Sequence, residues 1–183
     1  MIDKIKTVQE TSELIYSAQE VETAIAKMAA QINTLLAQTN PHVLCVMNGG
    51  IIISGQLITH LSMPLTIEAI NASRYQNKTS GGTIEWLLKP VMSLKERTVL
   101  IIDDILDEGF TLEEIKKYCV EQGASAVYSA VLLNKNLGYT KPVSADFIGL
   151  EVENRYIFGY GMDYKGYLRN APGIYACNKK EID

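Results

Sequence analysis

Four carboxylates fall within the six positions 103–108, directly after the apolar residues 99–102: Asp103, Asp104, Asp107 and Glu108. Gly109 and Thr111 follow at once. A glycine there lets the backbone aim several N–H groups at one anion, and a helix beginning just after it would add its dipole. Such a turn suits a phosphate, but the acids beside it would repel one. They make sense beside a hydroxylated, phosphorylated sugar with a divalent cation. Carboxylates accept hydrogen bonds from ribose hydroxyls, and Mg²⁺ favours one or two carboxylates plus substrate oxygens. A solvated acidic loop ahead of an ordinary helix cap is the alternative for the charges alone. The order of strand, acids, glycine and cap favours the site.

Elements of the right kind surround this turn. Residues 98–103 read as a strand buried on both faces, as in parallel sheets. Thr111 with Glu114 has the pattern of a capping box, opening a helix over 112–122 that Gly123 ends. Upstream, Ser17 with Glu20 has the same pattern, and Val21, Ile25, Met28, Ile32, Leu35 and Leu36 recur at helical spacing. Residues 42–47 predict a short buried strand closed by the Asn-Gly-Gly of 48–50, and 51–61 a helix. Further strands are predicted at 65–70, 83–88, 125–133, 146–152 and 156–161. Residues 71–82 are polar and rich in Gly and Ser, a loop long enough to be functional. Strands alternating with helices predict an α/β fold with a mostly parallel sheet, whose ligands sit beyond the carboxyl ends of the strands.

The 183 residues fit one domain, with 47% hydrophobic and 21% charged residues. A formal net charge of −4 opposes a general nucleic-acid surface, which would be basic. No run reaches the ~20 apolar residues of a membrane span. The N-terminal MIDKIKTVQE lacks a signal-peptide core, so a cytoplasmic location without a membrane partner is expected. Cys45, Cys119 and Cys177 form no CxxC pair, and a reduced compartment suits them. His42 and His60 are the only histidines and are expected at element ends near the surface. Neither a zinc site nor a Ser/His/Asp triad follows from them.

The stretch VLIIDDILDEGFTL (99–112) resembles the phosphoribosyl-diphosphate motif of the type I phosphoribosyltransferases, and most of the chain resembles the hypoxanthine-guanine branch. The resemblance implies the fold of that family: a mostly parallel central sheet flanked by helices, with a small hood. One domain over 1–183 would have its core at about 38–145 and its hood at about 146–183 with the N-terminal segment. It implies that Asp103 and Asp104 bind ribose and Mg²⁺, and that Asp107 is the acid/base near purine nitrogen 7. The loop of Asp107, Glu108, Gly109, Phe110 and Thr111 would hold the 5-phosphate. Met47, Asn48 and Gly49 would face the diphosphate, with a non-proline cis peptide between Met47 and Asn48. Ser73, Arg74 and Tyr75 would begin a mobile loop over the site. Lys135 would contact the 6-oxo group, Tyr156 would stack on the purine, and the Ile157 backbone would meet the base edge. Asp163 would serve a second metal and Arg169 the diphosphate. A homodimer or homotetramer acting on phosphoribosyl diphosphate and a 6-oxopurine is implied.

Three positions depart from that pattern, Phe110 among them because it offers the loop no charge. Glu108 replaces a hydroxyl in the phosphate loop, and a carboxylate there would repel the dianion. Its side chain is therefore expected to point away, leaving backbone N–H groups and Thr111 to bind. Asn48 stands where many relatives carry lysine, removing a charge contact to diphosphate. Two alternatives remain at this point: a xanthine-preferring transferase, and a regulator on the same fold that binds without turnover.

Overall fold

The computed structural model describes residues 2–74 and 84–178. Helix α1 (Ile2–Thr11), strand β1 (Glu13–Tyr16) and helix α2 (Ala18–Leu36) lead into strand β2 (His42–Val46) and helix α3 (Ile51–Leu57). Strands β3 (Thr66–Arg74), β4 (Ile84–Leu88) and β5 (Thr98–Leu106) follow, then helix α4 (Phe110–Glu121) and strands β6 (Ala126–Asn136) and β7 (Phe147–Glu153). The short strands β8 (Ile157–Phe158) and β9 (Ile174–Ala176) complete the chain.

The main sheet has the order β4-β3-β2-β5-β6-β7. All its pairings are parallel except β3 with β4. Its central strands are apolar on both faces because helices cover both. On one face α2 buries Val21, Ile25, Met28, Ile32 and Leu36 against Val43, Leu100 and Leu132. On the other, α4 sets Leu112, Ile115 and Cys119 on Leu44, Val99 and Ile101. A second sheet, β1-β9-β8, joins the two ends of the described chain. Behind it Val8 of α1 packs with Phe158, Tyr164, Ala171 and Cys177. All three cysteines are reduced and buried.

Both Ser17 and Glu20 make the reciprocal bonds of a capping box at α2. The same pattern at Thr111 and Glu114 does not. Helix α4 begins two residues earlier, with Gly109 as N-cap at φ +94° and no side-chain cap. A left-handed glycine sets the entry instead, which places Thr111 inside the first turn. His42 also differs from expectation: it is fully buried, its Nδ1 2.7 Å from Thr66 Oγ1 and its Nε2 3.0 Å from Glu68. Burial lowers its pKa despite Glu68 and favours neutral imidazole. Residues 71–74 extend β3 rather than open a loop, while Tyr75 and 76–82 lie outside the described residues. Of the predicted strand 156–161 only β8 forms, because positive φ at Gly159, Tyr160 and Gly161 breaks the extended run.

Asp146 ties the start of β7 to its neighbours. Its Oδ2 accepts from Ser129 N and Oγ, each at 2.8 Å, and from Lys116 Nζ at 2.9 Å. Burial pushes this carboxyl's pKa up, but Lys116 and Ser129 outweigh that and hold it below the ordinary value. A depressed carboxylate stabilises the fold above its unfolded pKa and loses that contribution as pH falls through its folded one. Asp146→Asn should therefore be destabilised relative to wild type at neutral pH, with the gap narrowing below about pH 4 in urea denaturation. A gap independent of pH would contradict this linkage.

Candidate active site

Strand order reverses between β2 and β5: the chain runs outward from β2 to β3, then returns to place β5 on the other side. Ligand crevices in α/β sheets open at such a point, beyond the carboxyl ends of the strands. Here a cleft of about 690 Å³ opens there. Met47, Asn48 and Gly49 line one side and residues 103–112 the floor, with Lys135 and Arg169 at the edges. The Met47–Asn48 peptide is cis, as the resemblance implied.

Strand β5 runs further than its apolar residues suggest, pairing with β6 through Leu106↔Asn134. Asp103 and Asp104 therefore sit on rigid strand rather than in the turn. Asp104 N donates to Asp103 Oδ1 at 2.9 Å, so the first carboxylate folds back over the next residue. Burial, then the adjacent Asp104 charge, raises the Asp103 pKa well above the carboxylate range. Burial raises Asp104 as well, opposed by its hydrogen bonds and by Arg169. Two neighbouring carboxylates, Asp104 buried and Asp103 half-buried, with little positive charge beside them suit a divalent cation. Among the described residues no group of three or more His, Cys, Asp or Glu forms a protein cage for a metal. That donor set fits Mg²⁺, which takes few carboxylates and completes its shell with water and phosphate oxygens.

The turn of 107–109 leads into α4, whose first internal bond runs from Glu113 N to Gly109 O at 3.0 Å. The N–H groups of 110–112 precede that bond and belong to the helix end that favours anions. Glu108 is exposed, and Phe110 is 39% exposed. On the neighbouring strand Lys135 is 9% exposed, and its Nζ pairs with Asp107 Oδ2 at 2.5 Å. The pair sets a donor and an acceptor side by side at the cleft edge.

The C-terminal segment closes against the β2 loop through glycines. A Cβ on Gly161, at φ +109°, would lie 2.1 Å from the Gly49 carbonyl oxygen, and one on Gly49 would lie 2.0 Å from Asp104 Oδ2. Arg169 donates to Gly161 O at 2.6 Å and pairs with Asp163 Oδ1 at 2.6 Å, while Gly166 N donates to Asp163 Oδ2 at 2.7 Å. Arg169 lines the cleft; Asp163, Tyr156 and Ile157 do not. Tyr156 meets Tyr164 edge to face at 5.6 Å, and Ile157 is buried in β8. Ser73 and Arg74 end β3, and the expected loop beyond them falls outside the described residues. Leu137, Tyr139 and Asn154 also line the cleft. Sequence reading passed over them because a polar connection and a strand end carry no motif.

Strand ends carrying an acidic pair, a glycine turn into a helix start and an opposed backbone loop are brought together in this one cleft. The chain belongs to the phosphoribosyl transferase domain family, whose model matches residues 11–165. It is 30% identical over 162 residues to the hypoxanthine-guanine phosphoribosyltransferase of Bacillus subtilis, covering 88% of this chain and 90% of that one. It is 29% identical over 164 residues to the hypoxanthine-guanine-xanthine phosphoribosyltransferase of Tritrichomonas foetus, covering 88% of each. A hypoxanthine phosphoribosyltransferase structure from Staphylococcus aureus shares the fold, with a TM-score of 0.88 at 22% identity over 93% of this chain and 94% of that one.

Gly161→Ala must displace either the Gly49 loop or the C-terminal segment. The expected result is a lower melting temperature and, by shifting site groups on the scale of 1 Å, at least about tenfold loss of any transferase activity. Gly55→Ala, with nothing within 4 Å of the added Cβ, is the control and should leave both unchanged. Equal behaviour of the two variants would show that the close approach does not matter.

Proposed function

We propose that the chain is a purine-salvage enzyme that transfers the 5-phosphoribosyl group from phosphoribosyl diphosphate to hypoxanthine or guanine. The products are IMP or GMP and diphosphate. The observation that carries this reading is the Lys135–Asp107 pair at the edge of a cleft floored by residues 103–112. On a 6-oxopurine, oxygen 6 is an acceptor and the neighbouring nitrogen 7 can carry a proton. Lys135 complements the first and Asp107 the second. A 6-amino group would turn a donor toward the Lys135 ammonium, so adenine is disfavoured.

The reaction follows from these placements. Nitrogen 9 of the base bonds to carbon 1 of the sugar as the bond from carbon 1 to the diphosphate oxygen breaks. Asp107 takes the proton from nitrogen 7 of the bound tautomer, and Lys135 holds oxygen 6. Asp103 and Asp104 hold the ribose hydroxyls, while the backbone of 108–111 and Thr111 hold the 5-phosphate. Met47, Asn48, Gly49 and Arg169 face the diphosphate, with the Asn48 amide replacing a cation. Mg²⁺ would be held by Asp103 and Asp104, with Asp163 for a second ion, and supplies charge neutralisation on the diphosphate. Tyr156 stacks on the base beside the Ile157 backbone once substrate draws the C-terminal segment in. The segment expected to close over the site from Ser73, Arg74 and Tyr75 lies, beyond Arg74, outside the described residues. The assembly we propose is a cytoplasmic homodimer or homotetramer, with one core at about 38–145 and a hood built from both chain ends. Among the described residues no helix is long and apolar enough to cross a membrane.

Incubation with phosphoribosyl diphosphate, Mg²⁺ and each of hypoxanthine, guanine, xanthine and adenine tests the reading. IMP and GMP should form and AMP should not; nucleotide from xanthine alone would shift the base assignment, and no nucleotide at all would refute turnover. In the same assay Asp107→Asn should lower kcat by about 10²-fold, the usual size of a lost acid/base contribution. A near wild-type kcat with both bases would remove Asp107 from that role.

A further inference from the structure

Outside the groups already assigned, one ammonium sits where it touches none of the proposed substrate positions but holds their neighbours. Lys141 Nζ donates to the Leu106 carbonyl at 2.6 Å and to Asn134 Oδ1 at 2.8 Å. Asn134 in turn donates through Nδ2 to both Glu151 carboxylate oxygens, at 2.9 and 3.1 Å. Leu106, Asn134 and Glu151 are register partners across β5, β6 and β7. The contacts therefore cross three strands in a single row at the carboxyl edge of the sheet. The next residues are Asp107, just past the end of β5, and Lys135 on β6, the pair at the cleft.

The segment carrying Lys141 also reaches the phosphate turn. A Cβ on Gly109 would meet Pro142 Cδ at 3.3 Å, Val143 Cγ1 at 3.4 Å and Lys141 Cβ at 3.5 Å. Residues 141–143 thus back the left-handed turn on one side while Lys141 grips the carbonyl just before it. The segment is itself anchored, since Lys116 Nζ donates to Ser144 O at 3.2 Å as well as to Asp146. An exposed lysine reaching water would need none of this. Burial, with the nearby Lys135 charge, lowers the Lys141 pKa, and the Asp107 and Glu151 charges act against that.

We propose that Lys141 is a positioning residue, whose ammonium locks the ends of β5 and β6 so that the 107–111 phosphate turn and the Asp107–Lys135 pair keep their spacing. The proposal rests on the phosphoribosyl-transfer reading for its effect on turnover, but its effect on phosphate affinity stands apart from it. A pure packing role would need the side chain's bulk and not its charge.

The test compares wild type, Lys141→Met, and Lys141→Cys modified either to the aminoethyl thioether or to the uncharged carbamidomethyl form. The native cysteines are all buried, which directs the reagent to position 141. Each protein is titrated with ribose 5-phosphate by calorimetry and assayed with hypoxanthine at saturating substrates. Lys141→Met and the carbamidomethyl form should lose about tenfold or more in both affinity and kcat, with the aminoethyl form returning to within about threefold of wild type. Wild-type affinity in Lys141→Met, or a loss that the aminoethyl group does not restore, overturns the proposal. Should Lys141→Met not fold, Asn134→Ala removes one acceptor and keeps the ammonium; wild-type values there overturn it too. If wild type binds ribose 5-phosphate but makes no nucleotide, the transfer reading fails while the affinity comparison still decides this one.

Discussion

Two adjacent carboxylates placed inside the end of a buried strand are the constraint around which this molecule is arranged. Asp103 and Asp104 both resist ionisation where they stand, the first through burial and its neighbour's charge and the second chiefly through burial. Taking one carboxylate out of water is costly, and two together are tolerable only if positive charge or strong donors come to them. The surroundings bring backbone and one guanidinium close. Gly49 approaches Asp104 so nearly that no side chain fits, Gly161 approaches Gly49 in the same way, and Arg169 is held by Gly161 and Asp163 within reach. At Gly49 the requirement is distance, and at Gly161 it is both distance and a left-handed backbone.

Much of this arrangement was legible in the chain because it is contiguous. The apolar strand, the acids, the glycine and the helix start of 99–112 are consecutive, so local patterning exposes them together. Lys135 and the C-terminal groups became readable only through their resemblance to a known motif order. What stayed hidden depends on contacts between distant segments. Gly161 against Gly49 joins positions 112 apart, and the Lys141 row joins three strands. His42 shows the same limit: a histidine at the first position of a strand reads as a surface residue, yet Thr66 and Glu68 from β3 enclose it. Thr111 and Glu114 show the reverse error, where a good local pattern yields to the backbone conformation that Gly109 imposes.

The departures from the family motif also find a physical setting. Glu108 is exposed, so its side chain is not buried in the turn. Phe110 opens α4 without a charged group and is partly exposed. In the proposed role, the 107–111 turn would hold phosphate through backbone geometry more than through side-chain donors. That dependence makes the support behind Gly109, from residues 141–143, matter more here than a loop richer in hydroxyls would require.

A crystal structure with GMP and Mg²⁺ bound tests the central claim most directly, because one nucleotide reports on sugar, phosphate and base together. The account predicts the 5′-phosphate on the backbone N–H groups of 108–111, the ribose hydroxyls at Asp103 and Asp104, and oxygen 6 of guanine within hydrogen-bond distance of Lys135 Nζ. A nucleotide bound in the reverse sense, with its base over the 108–111 turn, or bound outside this cleft would contradict it.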